Sequence, residues 1–249
     1  MPRKSKKEAE EAKEEKETEK VKEKKEEAKE KESEKKDELL VPLEEYVKSG
    51  IHIGTRVITA QMRKYVFRRR VDGLAIFNTN VIDQKLRNAA AFLANYAPEE
   101  IIVSGKREAS WKALNSFSKE TGIKVFTKKY PAGIITNTGL PGFFEPKLMV
   151  IVDPWLDKNS ISDALHVNIP IIALCDTNNL FSSSDLIIPC NNKSNKSIGL
   201  IFWILSGEYN KIRKIKNEIP NLTDFVSGIK GTGKNNSTPP IILVEPPSG

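Results

Sequence analysis

Leu148–Pro154 reads LMVIVDP, and Pro170–Thr177 reads PIIALCDT. Each run is apolar at every position until it meets an Asp. A strand with one wet face alternates apolar and polar residues; a strand apolar throughout is buried on both faces, as in a parallel sheet held between two layers of helix. Gly73–Asn78, GLAIFN, reads as the first strand of such an array. Asn78 or Thr79 can cap the next helix, whose inner face is Ile82, Leu86, Ala89, Ala90, Leu93 and Ala97. EIIVSG (100–105) and IKVFT (123–127) are further strands. Between them lies a helix from about Arg107, with Leu114, Phe117 and Thr121 inward and Gly122 as its stop. A short helix at Ser160–Val167 sits between the two opening runs. DLIIP (185–189) and a helix from about Lys196 to Lys216 close the series. Alternation of this kind with right-handed crossovers predicts a doubly wound α/β sheet with helices on both faces.

Upstream, Leu39, Leu43, Tyr46 and Val47 recur at helical spacing, and Gly50 ends that helix. RVITAQMRKYVFRRR (56–70) is irregular and basic, and its YVF run is short enough for a strand edge. The chain therefore divides into a low-complexity Lys/Glu/Ala arm (1–38), one α/β body (39–220) and a Pro-, Gly- and Asn-rich extended segment (221–249). In the arm, Val21 is the one sizeable apolar residue, and at spacing four like charges meet more often than opposite ones, so a partly helical solvated tail is expected.

Of the 249 residues, Lys and Arg number 40 and Asp and Glu 33, a net charge of +7. The arm holds 14 basic and 15 acidic residues, so the body alone carries +8. A basic body points to a polyanionic partner. The two cysteines, Cys175 and Cys190, lie in apolar runs and read as buried thiols. His52 and His166 stand apart from each other and from any cysteine pair, so no zinc pattern forms. No apolar run long enough to span a bilayer and no signal-peptide core are present, which suggests a cytoplasmic protein without a membrane partner.

An enzyme on this fold would place its chemistry beyond the carboxyl ends of the strands, here Asn78, Ser104-Gly105-Lys106, Thr127-Lys128-Lys129, Asp153 and Asp176-Thr177. Neither a G-x-G-x-x-G turn nor a G-x-S-x-G elbow is found there. GIKGTGKN (228–235) is one residue short of a phosphate loop and lacks both the strand before it and the helix after it. Asp153 and Asp176 would make a paired-carboxylate metal site only if they were not capping their own turns, and capping is the favoured reading. The expectation is no enzyme, no cofactor and no metal. The alternative is a Rossmann-like enzyme or nucleotide binder acting on a phosphate-bearing small molecule; a free regulatory RNA-binding protein is a third reading.

The basic clusters are the positive signal. Arg63, Lys64, Arg68, Arg69 and Arg70 crowd one segment; if it is extended, Arg68 and Arg70 share one face and Arg69 takes the other. Lys106 and Arg107 open a helix, where free N–H groups also attract phosphate. Lys128, Lys129 and Tyr130 end a strand placed at the centre of the sheet. After them Gly133 allows close approach, and Thr136 and Asn137 offer short polar groups suited to RNA or to holding their own turn.

In order, GIHIGT, MRKYVFRRRVDGLAIFN, IIVSGKREAS, KKYPAGIITN, PKLMVIVDP, IPIIALCDTNN and DLIIPCNNKSNKSIGLIFWIL resemble the S-two family of small-subunit ribosomal proteins over roughly residues 39–216. Nine residues separate Asn137 from Lys147, where bacterial members carry a long coiled-coil insertion. The chain thus resembles the archaeal type and its eukaryotic laminin-receptor-precursor relatives, although the charged arm departs from that pattern. So does Lys129-Tyr130, where bacterial members tend to have Arg-Trp. The resemblance implies a flavodoxin-like (Rossmann-like) parallel sheet and a structural constituent of the small subunit near the head–body junction. Its partners would be rRNA and neighbouring ribosomal proteins, with no catalysis; a homo-oligomer is not expected.

Overall fold

Ile101–Gly105 (β3), Lys124–Thr127 (β4), Leu148–Ile151 (β5), Ile171–Cys175 (β6) and Leu186–Pro189 (β7) pair in parallel in the order β4-β3-β5-β6-β7. Counted along the chain from β3, that is the 2-1-3-4-5 order of flavodoxin-like sheets. The computed structural model describes residues 39–215 and 221–226. The readings of the arm (1–38), of residues 227–249 and of the phosphate-loop look-alike fall outside these residues.

Helices Thr79–Ala94 (α2), Trp111–Thr121 (α3) and Asn195–Arg213 (α5) pack on one face of the sheet. Their inner residues meet Ile101, Val103, Leu148, Val150 and Leu174 in a single core, where the Phe117 and Phe202 rings cross edge to face at 5.2 Å. Alternate strand residues Ile102, Met149 and Ile151 face the other way, as period two requires. That second face is thinner. Among the described residues it is covered by the helix Lys158–Val167 (α4) and by the β4–β5 connection, whose Tyr130, Ile134, Ile135 and Phe144 do the work of a helix.

Three sequence expectations change. GLAIFN does not join the parallel sheet. Its strand, Ala75–Phe77 (β2), pairs antiparallel with Val66–Arg69 (β1) in a hairpin of its own. Ile76 is only half-buried, so β2 has the pattern of a strand with one covered face. β4 is the edge of the sheet and not its centre, because the chain returns from β4 to the far side of β3. The first helix, Leu43–Ser49 (α1), starts after Pro42 and buries Tyr46, while Leu43 and Val47 face solvent; Gly50 ends it in the left-handed region at φ 68°.

Packing also continues past residue 220. Leu222–Phe225 (α6) sits on α3 and α5 with Phe225 and Val226 buried, and the Lys112 ammonium donates to the Thr223 and Val226 carbonyls. Gly199 makes that fit possible, since a Cβ there would lie 2.7 Å from Val226 Cγ2. At the other end of the body, Asp83 of α2 accepts from the Leu40 N–H, the Tyr46 hydroxyl and the Arg87 guanidinium, each at 2.8 Å.

Candidate nucleic-acid interface

β1 and β2 join through Val71-Asp72-Gly73. Gly73 takes φ 85°, and Arg70 and Leu74 close the turn at 2.8 Å. A D-G pair in a three-residue loop with Gly in the left-handed region is a strong hairpin signal. The other edge of β2 pairs with His52–Thr55, through Gly54 N–H to Ala75 O and Phe77 N–H to His52 O, both 2.8 Å. β2 is therefore central, and β1 hangs outside it with Phe67, Arg68 and Arg69 exposed.

Arg63 and Lys64 sit on a 3-10 turn (Met62–Tyr65) pinned by the buried Met62, with the Lys64 ammonium 5.1 Å from the centre of the Tyr65 ring. By register, Arg68 lies beside Ile76, and Arg69 lies beside the buried Ala75. The Arg69 guanidinium reaches back to the Arg56 carbonyl at 3.4 Å, and Arg70 lies 3.4 Å from Asp72 across a mostly exposed pair. Arg68, Arg69, Arg70, Val71 and Asp72 line an open concavity of about 590 Å³.

The hairpin is mounted on the carboxyl end of β6. Gly54 lies so close to Thr177 that a Cβ would fall 2.6 Å from Thr177 Cγ2. The Thr55 N–H donates to the Thr177 hydroxyl at 2.9 Å, the two threonine hydroxyls share a hydrogen bond of 2.8 Å, and the Thr59 N–H donates to the Thr177 carbonyl at 2.9 Å. Thus the GIHIGT and CDTNN segments, far apart in sequence, meet as one joint.

Flavodoxin-like folds bind ligands where the strand order reverses, here between the carboxyl ends of β3 and β5. In this chain its own side chains occupy that crevice. Buried Asp153 pairs with Arg107 and accepts from the Trp155 N–H at 3.0 Å and the Asn179 amide at 3.1 Å. Buried Asp176 caps the Thr177 N–H at 2.6 Å and lies 3.3 Å from the Lys193 ammonium. Both aspartates therefore cap turns and neutralise cations. Asp157 accepts from the Ser104 hydroxyl at 3.0 Å and the Lys106 N–H at 3.2 Å, so the N–H group read as a phosphate donor already serves a carboxylate. Burial pushes the Asp157 carboxyl above its ordinary range, against the hydrogen bonds from Ser104 and Lys106. The Lys106 N–H, the Arg107 guanidinium and the Lys193 ammonium are thus committed to carboxylates rather than to a phosphate.

The remaining sequence candidates divide into cations and structural residues. Lys106, Lys128 and Lys129 are exposed at the ends of β3 and β4, with the Lys128 ammonium 5.6 Å from the centre of the Trp111 ring. Tyr130 is buried edge-on against Phe126 at 5.6 Å. Gly133 turns the chain at φ 88° and donates to Asp163 at 2.7 Å. Asn137 accepts from the Gly139 N–H at 3.0 Å, so it holds its own turn, while Thr136 is exposed. The candidates thus form two cationic groups at the same end of the sheet. The mounts of these groups, β6 and β4, are three strand steps apart, roughly 14 Å. Sequence reasoning passed over Phe67, exposed in the middle of the first group, although it stands directly before Arg68-Arg69-Arg70.

Residues 144–211 match the family described as Ribosomal protein S2. The chain is 46% identical over 178 residues to the small ribosomal subunit protein uS2 of Nanoarchaeum equitans, covering 72% of this chain and 89% of that one. It is 41% identical over 170 residues to the uS2 protein of Ignicoccus hospitalis, covering 68% and 80% of the two chains. The chain belongs to the uS2 family. A third relative, the uS2 protein of Methanococcus maripaludis strain C5, is 40% identical over 185 residues, with 74% and 84% covered. The matched span 144–211 includes β5 to β7, most of α5, and the Thr177 side of the joint that carries the hairpin. A family of structural ribosomal proteins agrees with a crevice filled by its own carboxylates.

Proposed function

We infer that this chain is a structural, non-enzymatic constituent of the small ribosomal subunit in the cytoplasm, binding rRNA and neighbouring ribosomal proteins near the head–body junction. The observation that carries the RNA assignment is the β1–β2 hairpin. Arg63, Lys64, Arg68, Arg69 and Arg70 are all exposed, while Asp153 and Asp176 at the carboxyl ends of the strands are buried and paired with Arg107 and Lys193. A cationic face held on a rigid mount suits a phosphate backbone, because phosphate contacts fix position without reading sequence. Lys106, Lys128 and Lys129 extend the same role to the far edge. Nucleotides such as ATP are expected to bind only as polyanions do, since the switch-point crevice is already filled.

Changing Arg68 and Arg70 together to Ala tests this. Removing two phosphate contacts should flatten the log–log salt dependence of RNA binding by about 1.4–1.8 units. It should also lower the variant's share in the small-subunit peak of a density gradient without changing the melting temperature. An unchanged slope with normal occupancy would remove the hairpin from the RNA surface.

A further inference from the structure

We propose that Phe67 is a stacking platform for one unpaired RNA base, an inference that rests on the RNA assignment of the hairpin and narrows it to a single nucleotide. In β1, Val66 pairs with Phe77 and Arg68 with Ile76, so two β1 residues, Val66 and Phe67, occupy the span that one residue of β2 covers. That is a β-bulge at Phe67, and bulges re-aim the side chain they carry. The ring is 69% exposed on the outer, uncovered strand of the hairpin. Along the chain it is flanked by the exposed cations Arg63, Lys64, Arg68, Arg69 and Arg70, with Asp72 the exposed acid of this segment. The five residues that follow Phe67, Arg68 to Asp72, line the open concavity, with Val71 fully exposed.

An apolar contact for another protein would surround an exposed ring with apolar neighbours. Here the three residues that follow the ring are the exposed arginines Arg68, Arg69 and Arg70, which suit phosphates beside a base, with Val71 the exposed apolar residue after them. Aromatic rings inside basic grooves bind single-stranded RNA by stacking, and they do so whatever the base. A duplex has no free base face to offer. Phe67 therefore adds affinity only where a nucleotide is unpaired, while the arginines serve paired and unpaired RNA alike.

The test uses the full chain with two RNA probes of equal phosphate number, a short unstructured strand and a blunt-ended duplex without loop or overhang. Phe67→Leu keeps apolar bulk and removes the π-face. It should weaken binding of the unstructured strand measurably, by less than the roughly 5- to 150-fold expected for Phe67→Ala, leave the salt slope and duplex affinity unchanged, and be rescued by Phe67→Tyr. In the unmutated chain, a 2-aminopurine placed in the unstructured strand should lose fluorescence on binding, a readout that needs no variant. Equal losses for both probes, no loss for either, or an unquenched 2-aminopurine would overturn the stacking role. So would normal RNA binding combined with reduced occupancy in the small subunit, which would seat Phe67 on a neighbouring protein. If the arginine changes also leave the salt slope untouched, the RNA assignment of the hairpin fails, and not the stacking alone.

Discussion

The joint between the hairpin and the sheet can be tested with a single methyl group. Gly54→Ala places a Cβ 2.6 Å from Thr177 Cγ2, 3.1 Å from Thr177 Oγ1 and 3.3 Å from Asp176 Oδ1. Gly54 is required for space, because its neighbour is a β-branched side chain whose hydroxyl is held by two hydrogen bonds to Thr55, while the Thr177 carbonyl accepts from the Thr59 N–H. Overpacking of this kind costs about 1–3 kcal/mol. Each hydrogen bond to the displaced Thr177 hydroxyl adds about 1 kcal/mol. With one bond lost, the sum is about 2–4 kcal/mol, a fall in melting temperature of roughly 4–16 °C for a body of this size. RNA binding should weaken more than the loss of stability explains, because the hairpin tilts on its mount. Thermal melting and salt-dependent RNA binding on the same preparation measure both. The double variant Gly54→Ala, Thr177→Ser removes the closest atom, keeps the hydroxyl and should recover much of the loss. A Gly54→Ala protein as stable as the original and equally able to bind would refute the rigid joint.

Two further outcomes follow from buried carboxylates. Asp83→Ala strands the Leu40 N–H and the Tyr46 hydroxyl and breaks the pair with Arg87, so denaturant unfolding should show a loss of about 3–5 kcal/mol; a loss below about 1 kcal/mol would show that α1 needs no such anchor. For Asp157, the folded protein holds the proton more tightly than the unfolded chain, since burial raises the pKa. That contribution is fully present below the unfolded pKa of about 4 and is lost as pH rises through the folded value. Compared with Asp157→Asn, the wild-type chain should therefore lose relative stability as pH rises through this window, measured by unfolding at a series of pH values; a relative gain would contradict the burial argument.

The sheet was legible because its strands must be apolar on both faces, and LMVIV and IIALC admit little else. The helix stops at Gly50 and Gly122 were equally readable, since both glycines take the left-handed conformation expected there. GLAIFN misled because apolar content was read without its partner. The Asp72-Gly73 turn before it marks a hairpin, and Ile76 between Ala75 and Phe77 faces outward enough to break the fully buried pattern. The cations were found as residue types, but not their sorting. Arg107 and Lys106 resemble each other in sequence, yet one guanidinium is committed to Asp153 from another strand while the other side chain is exposed. Tyr130 and Gly133 could be recognised as structural only once the loop was known to roof a sheet face, a contact made with residues distant in the chain. Phe67 escaped because a bulge depends on register, which one strand cannot reveal alone.

That roof sets where the body opens first. A helix holds its backbone together by itself. The β4–β5 connection relies on a few short turns, such as Ile134 N–H to Pro131 O at 3.2 Å and Asn137 N–H to Gly133 O at 2.8 Å. Local opening of such a segment costs less than global unfolding. Each such opening wets Ile102, Met149 and Ile151 while α2, α3 and α5 keep the opposite core closed. Hydrogen exchange should therefore show amide protons of this segment exchanging ahead of those in the central strands, so that the surface the free protein briefly exposes lies under the loop, on the face opposite α2, α3 and α5.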